Sequence, residues 1–205
     1  MPGARAVLLA LAVLLYFGWM GRTLSRMGLG RLGGVAWLLA ILLGSFIDFP
    51  LLRGPQAVTV NVGGALVPLL LAVYLYLRSD DPWERWRIWA APLLAGVLLW
   101  VLGRTYSGDP GESLPFGTVY LSGVAAGILG YGLGRSWRAG FVAGTVGVLL
   151  ADGLHYLDLA TAGIPGQVWL GGGGALDASL LAGLLAVAMA EGVEALRRLI
   201  LRRLS

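Results

Sequence analysis

Seven apolar stretches decide what this chain can fold into. They run near residues 5–20, 35–52, 58–77, 88–103, 116–134, 139–157 and 174–196, and each approaches the roughly 17–25 residues that a helix needs to cross a bilayer. Of the 205 residues, 58% are hydrophobic and only 13% charged, against about 25% charged in a soluble domain. Mean hydropathy is +0.80. A single soluble core cannot take up that excess, because its surface would have to be oily. The expected fold is therefore all-α, a polytopic membrane protein whose seven helices form one transmembrane domain over 1–205 in the lipid bilayer. Stretch 5–20 is read as a retained helix and not a signal peptide, since no A-x-A-like site follows it and Gly21-Arg22 leads into more basic residues.

Arginine placement predicts the orientation. All 15 basic residues are arginines. The loops after the first, third and fifth stretches, with the C-terminal tail, hold Arg22, Arg26, Arg31, Arg78, Arg85, Arg87, Arg135, Arg138, Arg197, Arg198, Arg202 and Arg203, whereas the other side holds only Arg5, Arg53 and Arg104. Positive residues collect on the cytoplasmic side, which predicts an N-terminus outside and a C-terminus inside a cell inner membrane. The eight tryptophans fall near the ends of the stretches, where interfacial aromatic belts would put them. Gly123 and Gly127, Gly130 and Gly134, and Gly140 and Gly144 are each four apart. That spacing lets helix backbones approach closely in lipid, within the chain or in an oligomer.

Several chemistries are excluded by counting. There is no cysteine and one histidine, so cysteine-ligated and multi-histidine metal sites are ruled out, and no metal or cofactor is expected. The net charge of +4 comes from arginines at helix ends and does not point to nucleic acid. No GxSxG elbow occurs, and Gly171-Gly172-Gly173-Gly174 lacks the Lys-Ser/Thr of a phosphate loop. Asp80-Asp81-Pro82-Trp83-Glu84 lies among arginines and reads as a solvated charge cluster.

One constant shift lays the chain on itself. Phe46-Ile47-Asp48-Phe49 falls on Tyr156-Leu157-Asp158-Leu159, Gly63-Gly64-Ala65-Leu66 on Gly173-Gly174-Ala175-Leu176, and Leu70-Leu71-Ala72 on Leu180-Leu181-Ala182. The match predicts a parallel internal repeat of the second–third and sixth–seventh helices, its pseudo-axis along the membrane normal. The same segments resemble the family named domain of unknown function 1614, prokaryotic multi-pass membrane proteins. Gly44-Ser45-Phe46-Ile47-Asp48-Phe49-Pro50-Leu51 is similar to its GSxIN(I)PL stretch, and Asn61-Val62-Gly63-Gly64-Ala65-Leu66-Val67-Pro68 to NVGGALIP. Ala151-Asp152 and Gly172-Gly173-Gly174-Ala175-Leu176-Asp177 resemble its GAD and GGAGTFDG signatures. Order and spacing hold from about residue 21 to 190. Asp48 stands where the family has Asn, and Ala151 and Ala178 where it has Gly. The resemblance implies a multi-pass membrane protein and brings no activity with it.

An ionisable side chain inside a bilayer is costly, so each one calls for a reason. Asp48, Asn61, Arg104, Asp152, His155, Asp158 and Asp177 all fall toward the outer ends of their helices on the expected topology. Asp152 is the deepest, 13 residues after Ala139, or about 20 Å along a helix; His155 shares its face at i+3. Asp177 opens the seventh helix just after the four glycines. The leading expectation is an outward-facing site for a small solute, cation or proton. Asp152 and Asp177 would bind the ion or carry the proton, with Asp48, Asn61, His155 and the backbone near Gly63, Gly64, Gly173 and Gly174 as further ligands. The second is an intramembrane diaspartyl protease, in which catalytic Asp152 and Asp177 share a proton to activate water on a membrane peptide; Gly171–Asp177 does not reproduce a GxGD signature. Bland readings stand beside these. Asp177 caps its helix, Asp48 and Asp158 reach the headgroup layer, Asp152 pairs with His155 or Arg104, and the whole is a structural membrane protein without chemistry.

Overall fold

In the computed structural model, residues 17–18, 20–24, 28–105 and 118–204 are described. Apolar stretch 5–20 lies largely outside them, as do Arg5, Trp19, Arg26 and the start of stretch 116–134. The described chain is mostly helical: α1 (Gly30–Gly44), α2 (Val67–Leu77), α3 (Pro82–Thr105), α4 (Thr118–Gly134), α5 (Trp137–Ala162) and α6 (Ala178–Leu204). Three of these contain segments long and apolar enough to cross a membrane: Pro82–Arg104, Trp137–Ala162 and Ala178–Leu201. Shorter apolar helices cover Leu32–Gly44, Val62–Leu77 and Val124–Gly134. Apolar helices of this kind mark a membrane protein. On α3, Leu93, Leu94, Val97, Leu98, Val101 and Leu102 are all exposed, a surface suited to lipid.

The structure differs from the expected all-α fold in the second and third stretches, which do not form helices over 35–52 and 58–77. Helix α1 stops at Gly44, where the Ser45 amide and hydroxyl both turn back to the Ile41 carbonyl. The chain then extends into β1 (Asp48–Leu52) and β2 (Gln56–Asn61). The reason is local. Pro50 disfavours a helix interior and biases Phe49 to extended backbone, and Val58-Thr59-Val60 is a β-branched run. Strand β1 pairs with β2 antiparallel, Asp48 opposite Asn61. Its place at the edge of the sheet suits Pro50.

A third strand, β3 (Gly166–Leu170), completes the sheet on the other side of β2. It follows α5, whose end at Gly163 is set by a left-handed φ of +66°. Strand β3 runs parallel to β2, in a register that pairs Gln56 with Gly166, Val58 with Val168 and Val60 with Leu170. Every pair has the same sequence offset, the one that superposes the chain on itself.

Helix α5 is the hub of the bundle and packs against α3, α4 and α6. Glycines bring the backbones together. A Cβ at Gly134 would lie 2.4 Å from the Gly140 amide, one at Gly130 2.7 Å from that of Gly144, and one at Gly144 2.8 Å from the Ala182 carbonyl carbon. Gly127 packs in the same way on Leu185. The glycine spacing seen in the sequence is thus used within the chain. Around this seam Phe141, Leu71, Leu75, Leu180, Leu184 and Val187 form the fully buried core.

Polar groups gather at the two ends of the bundle. At one end the sheet and the hairpin tips meet. At the other, Arg138 donates to the Arg78 carbonyl and lies 3.5 Å from Glu84, which also accepts from Ser79. There the Asp80–Trp83 run is exposed, as a solvated charge cluster would be, and it also starts a helix: Asp81 accepts from the Trp83 amide at 3.0 Å, with Pro82 in the first turn of α3, where its missing N–H costs nothing.

Candidate functional site

Of the residues singled out by sequence, Asp48, Asn61, Gly63, Gly64, Gly173, Gly174 and Asp177 lie where the two hairpin tips cross. Asn61 ends β2 in extended conformation, and its Oδ1 accepts from the Gly64 amide at 2.8 Å. This caps a short π-helical turn, Val62–Leu66, that leads into α2. The Asn61 amide group donates to the Ser45 carbonyl at 3.0 Å and to Asp48 Oδ1 at 2.9 Å. Asn61 is 2% exposed, and its side chain is fully engaged in holding α1, β1 and the turn together. Asp48 is drawn into that arrangement from the strand and not from a helix end.

The second tip is also held by one side chain, placed after its turn and not before it. Asp177 follows a 3-10 turn (Gly174–Leu176) and precedes α6. One carboxylate oxygen accepts from the Ser179 amide at 2.8 Å, the other from the Gly173 amide at 3.0 Å. Asp177 therefore caps α6 and fixes the glycine loop at once, using both oxygens.

Only glycine fits where these tips cross. A Cβ on Gly64 would come within 2.1 Å of the Gly171 carbonyl oxygen, and one on Gly171 within 2.3 Å of the Gly64 carbonyl carbon. Gly171 also has a φ of +69°, which a side chain rarely adopts. Gly63 lies against Ile41 and Ser45, Gly174 against Ser45. The buried hydroxyl of Ser179 donates to the Gly64 carbonyl at 3.0 Å. Ser45, Gly171 and Ser179 belong to this junction although sequence reasoning did not select them. The available signals were Ser45 at the end of a helical run and Ser179 two residues after a capping aspartate.

Asp158 is placed differently again. It accepts from Arg104 through both oxygens, at 2.6 and 3.1 Å, and from the Trp100 indole at 2.6 Å. The guanidinium lies 4.3 Å from the Trp100 ring centroid. This cluster ties α3 to α5 and takes up Arg104, which leaves that arginine no part in a pair with Asp152.

Asp152 stands apart from the rest. It is half-buried on α5, and it makes no hydrogen bond or ion pair with a described residue. His155 is exposed one turn further on and makes no bond to Asp152. Among the described residues no three His, Cys, Asp or Glu side chains gather as a metal site would need. The arrangement thus combines a rigid, backbone-packed junction with one carboxylate, Asp152, that has no bonded partner among the described residues.

Residues 31–189, more than three quarters of the chain, match the model of a family described as "Protein of unknown function (DUF1614)". The chain belongs to that family, and the match takes in both hairpin tips and Asp152. No curated protein and no solved structure matches.

Proposed function

We propose that this DUF1614 member is a membrane protein that binds a small cation or a proton at Asp152, as one step in its transport or uptake. One observation carries the reading. Asp48, Asp158 and Asp177 each have hydrogen-bonded partners, while Asp152, inside the candidate span Trp137–Ala162, has none among the described residues. An ionisable group in an apolar span without a bonded partner is costly and marks an ion or proton pathway more often than a packing role. The junction of Asn61, Gly63, Gly64, Gly171, Gly173, Gly174 and Asp177 is the rigid frame beside it, not a set of ligands.

The protease reading asks Asp152 and Asp177 to share a proton and activate water. Two backbone amides already hold both oxygens of Asp177, which weighs against it. The parallel register between β2 and β3, at the offset of the sequence repeat, supports an internal duplication, in which β2 and β3 are the corresponding strands and each is followed by a glycine tip; β1 has no counterpart among the described residues of the second hairpin. The arginine distribution supports a cytoplasmic-membrane location with the arginine-rich end inside.

The test is flux. Purified protein in sealed vesicles, with a proton or alkali-cation gradient and a trapped indicator dye, should show protein-dependent uptake that Asp152→Asn abolishes. Asp80→Asn removes one exposed carboxylate at the opposite end and should leave uptake intact. Uptake unchanged by Asp152→Asn contradicts the reading.

A further inference from the structure

We infer that the cavity between the α4–α5 turn and α6, at the arginine-rich end of the bundle, binds the phosphate group of an anionic membrane lipid. The cavity measures about 370 Å³, and its polar lining is Tyr131, Arg135, Ser136, Trp137, Glu194 and Arg197. Its charge is not internally matched. Glu194 is bonded to Arg198 one helical turn away, and neighbouring Arg138 is taken by Glu84 and the Arg78 carbonyl. The guanidinium groups of Arg135 and Arg197 make no hydrogen bond or ion pair with a described residue. Two guanidinium groups lining one recess offer the fork of donors that suits a phosphate.

The local backbone keeps Arg135 there. It is the one non-glycine residue with a positive φ, +55°, among the described residues, held in the tight turn between Gly134 and the Ser136 cap of α5. Such a conformation is strained for a residue with a Cβ.

The depth and the apolar wall select a lipid over a free anion. Trp137 begins one candidate span and Arg197 lies in the last turn of another, so the recess opens at headgroup level. Tyr131 and Trp137 are the amphipathic rings favoured at that level. Val193 also lines the cavity, and with Leu196 and Ile200 it exposes an apolar strip along α6, along which an acyl chain can lie.

The experiment uses the full chain in an uncharged detergent, with bound lipid counted by native mass spectrometry. Phosphatidylglycerol, phosphatidylcholine and inorganic phosphate are the probes. The wild type should retain phosphatidylglycerol in preference to phosphatidylcholine, and inorganic phosphate at millimolar concentration should not displace it. Arg135→Gln with Arg197→Gln should weaken retention about tenfold, as loss of charge-assisted bonds would. The melting temperature without lipid should stay unchanged, because neither side chain has a bonded partner among the described residues to lose. Arg53→Gln with Arg87→Gln removes the same charge elsewhere and should retain phosphatidylglycerol like the wild type. Equal retention of the two lipids, full displacement by inorganic phosphate, or equal losses in the two double variants would each overturn the inference.

Discussion

Ser179 donates its hydroxyl to the carbonyl oxygen of Gly64 across 115 residues of sequence. The bond is buried and joins the start of α6 to the π-helical turn before α2, so it fastens one hairpin tip to the other. Ser179→Ala leaves the Gly64 carbonyl buried without this donor, which costs about 1–3 kcal/mol. Unfolding in detergent, followed by circular dichroism, should show that loss. Stability equal to the wild type would mean that the tips hold by packing alone.

The glycine crossing should be less forgiving than the hydrogen bond. Gly64→Ala drives a Cβ to 2.1 Å from the Gly171 carbonyl oxygen, and overpacking against backbone costs about 3 kcal/mol or more. Gly153→Ala provides the contrast. It lies within α5, nothing stands within 4 Å of its added Cβ, and replacing a mid-helix glycine gains about 0.5–1 kcal/mol. A thermal melt of the two variants side by side should move in opposite directions.

Asn61→Asp tests the clamp by charge. The substitution removes two donors and sets a second carboxylate against Asp48, 2.9 Å from the present Asn61 amide nitrogen. Like charges so close favour proton uptake by the folded state relative to the unfolded one. Stability of the variant is then greatest in acid and falls as pH rises through the carboxylate range, the reverse of an aspartate that gains a cationic partner. Denaturant midpoints at about pH 4 and about pH 7 decide the point, with a variant equally stable at both as the contrary result.

The cluster at the end of α3 should be worth little by comparison. Arg104 is more than half exposed where it meets Asp158, and an exposed pair contributes about 0.2–1 kcal/mol. Arg104→Gln should lower the unfolding midpoint only slightly, with the difference shrinking at high salt. A loss of several kcal/mol would place this end in a much drier setting.

The apolar stretches at 88–103, 139–157 and 174–196 read directly as long helices because each apolar run is about long enough to span a bilayer as a helix. Stretches 35–52 and 58–77 do not, because a short apolar run such as Val58-Thr59-Val60 looks alike in a buried strand and a buried helix. Pro50 was the available breaker signal. The constant shift was visible in the chain, but that its offset is also the register of β2 on β3 appears only in the pairing of the strands. Asn61, Gly63, Gly64, Gly173, Gly174 and Asp177 were found by motif and expected as ligands, yet their side chains and missing side chains serve packing and capping. That distinction rests on which atom faces which, and spacing does not encode it. Ser45 and Ser179 belong to no periodic pattern, and Arg104 meets Asp158 from 54 residues away.

Asp152 is the point on which the functional account stands, and infrared difference spectroscopy addresses it most directly. Protein reconstituted in lipid is stepped between low and high concentrations of a test cation, and between acid and neutral pH, while the carboxyl and carboxylate bands are recorded. The account predicts a ligand- or proton-dependent carboxyl band that disappears in Asp152→Asn and persists in Asp158→Asn. A difference spectrum identical in the wild type and Asp152→Asn would contradict it.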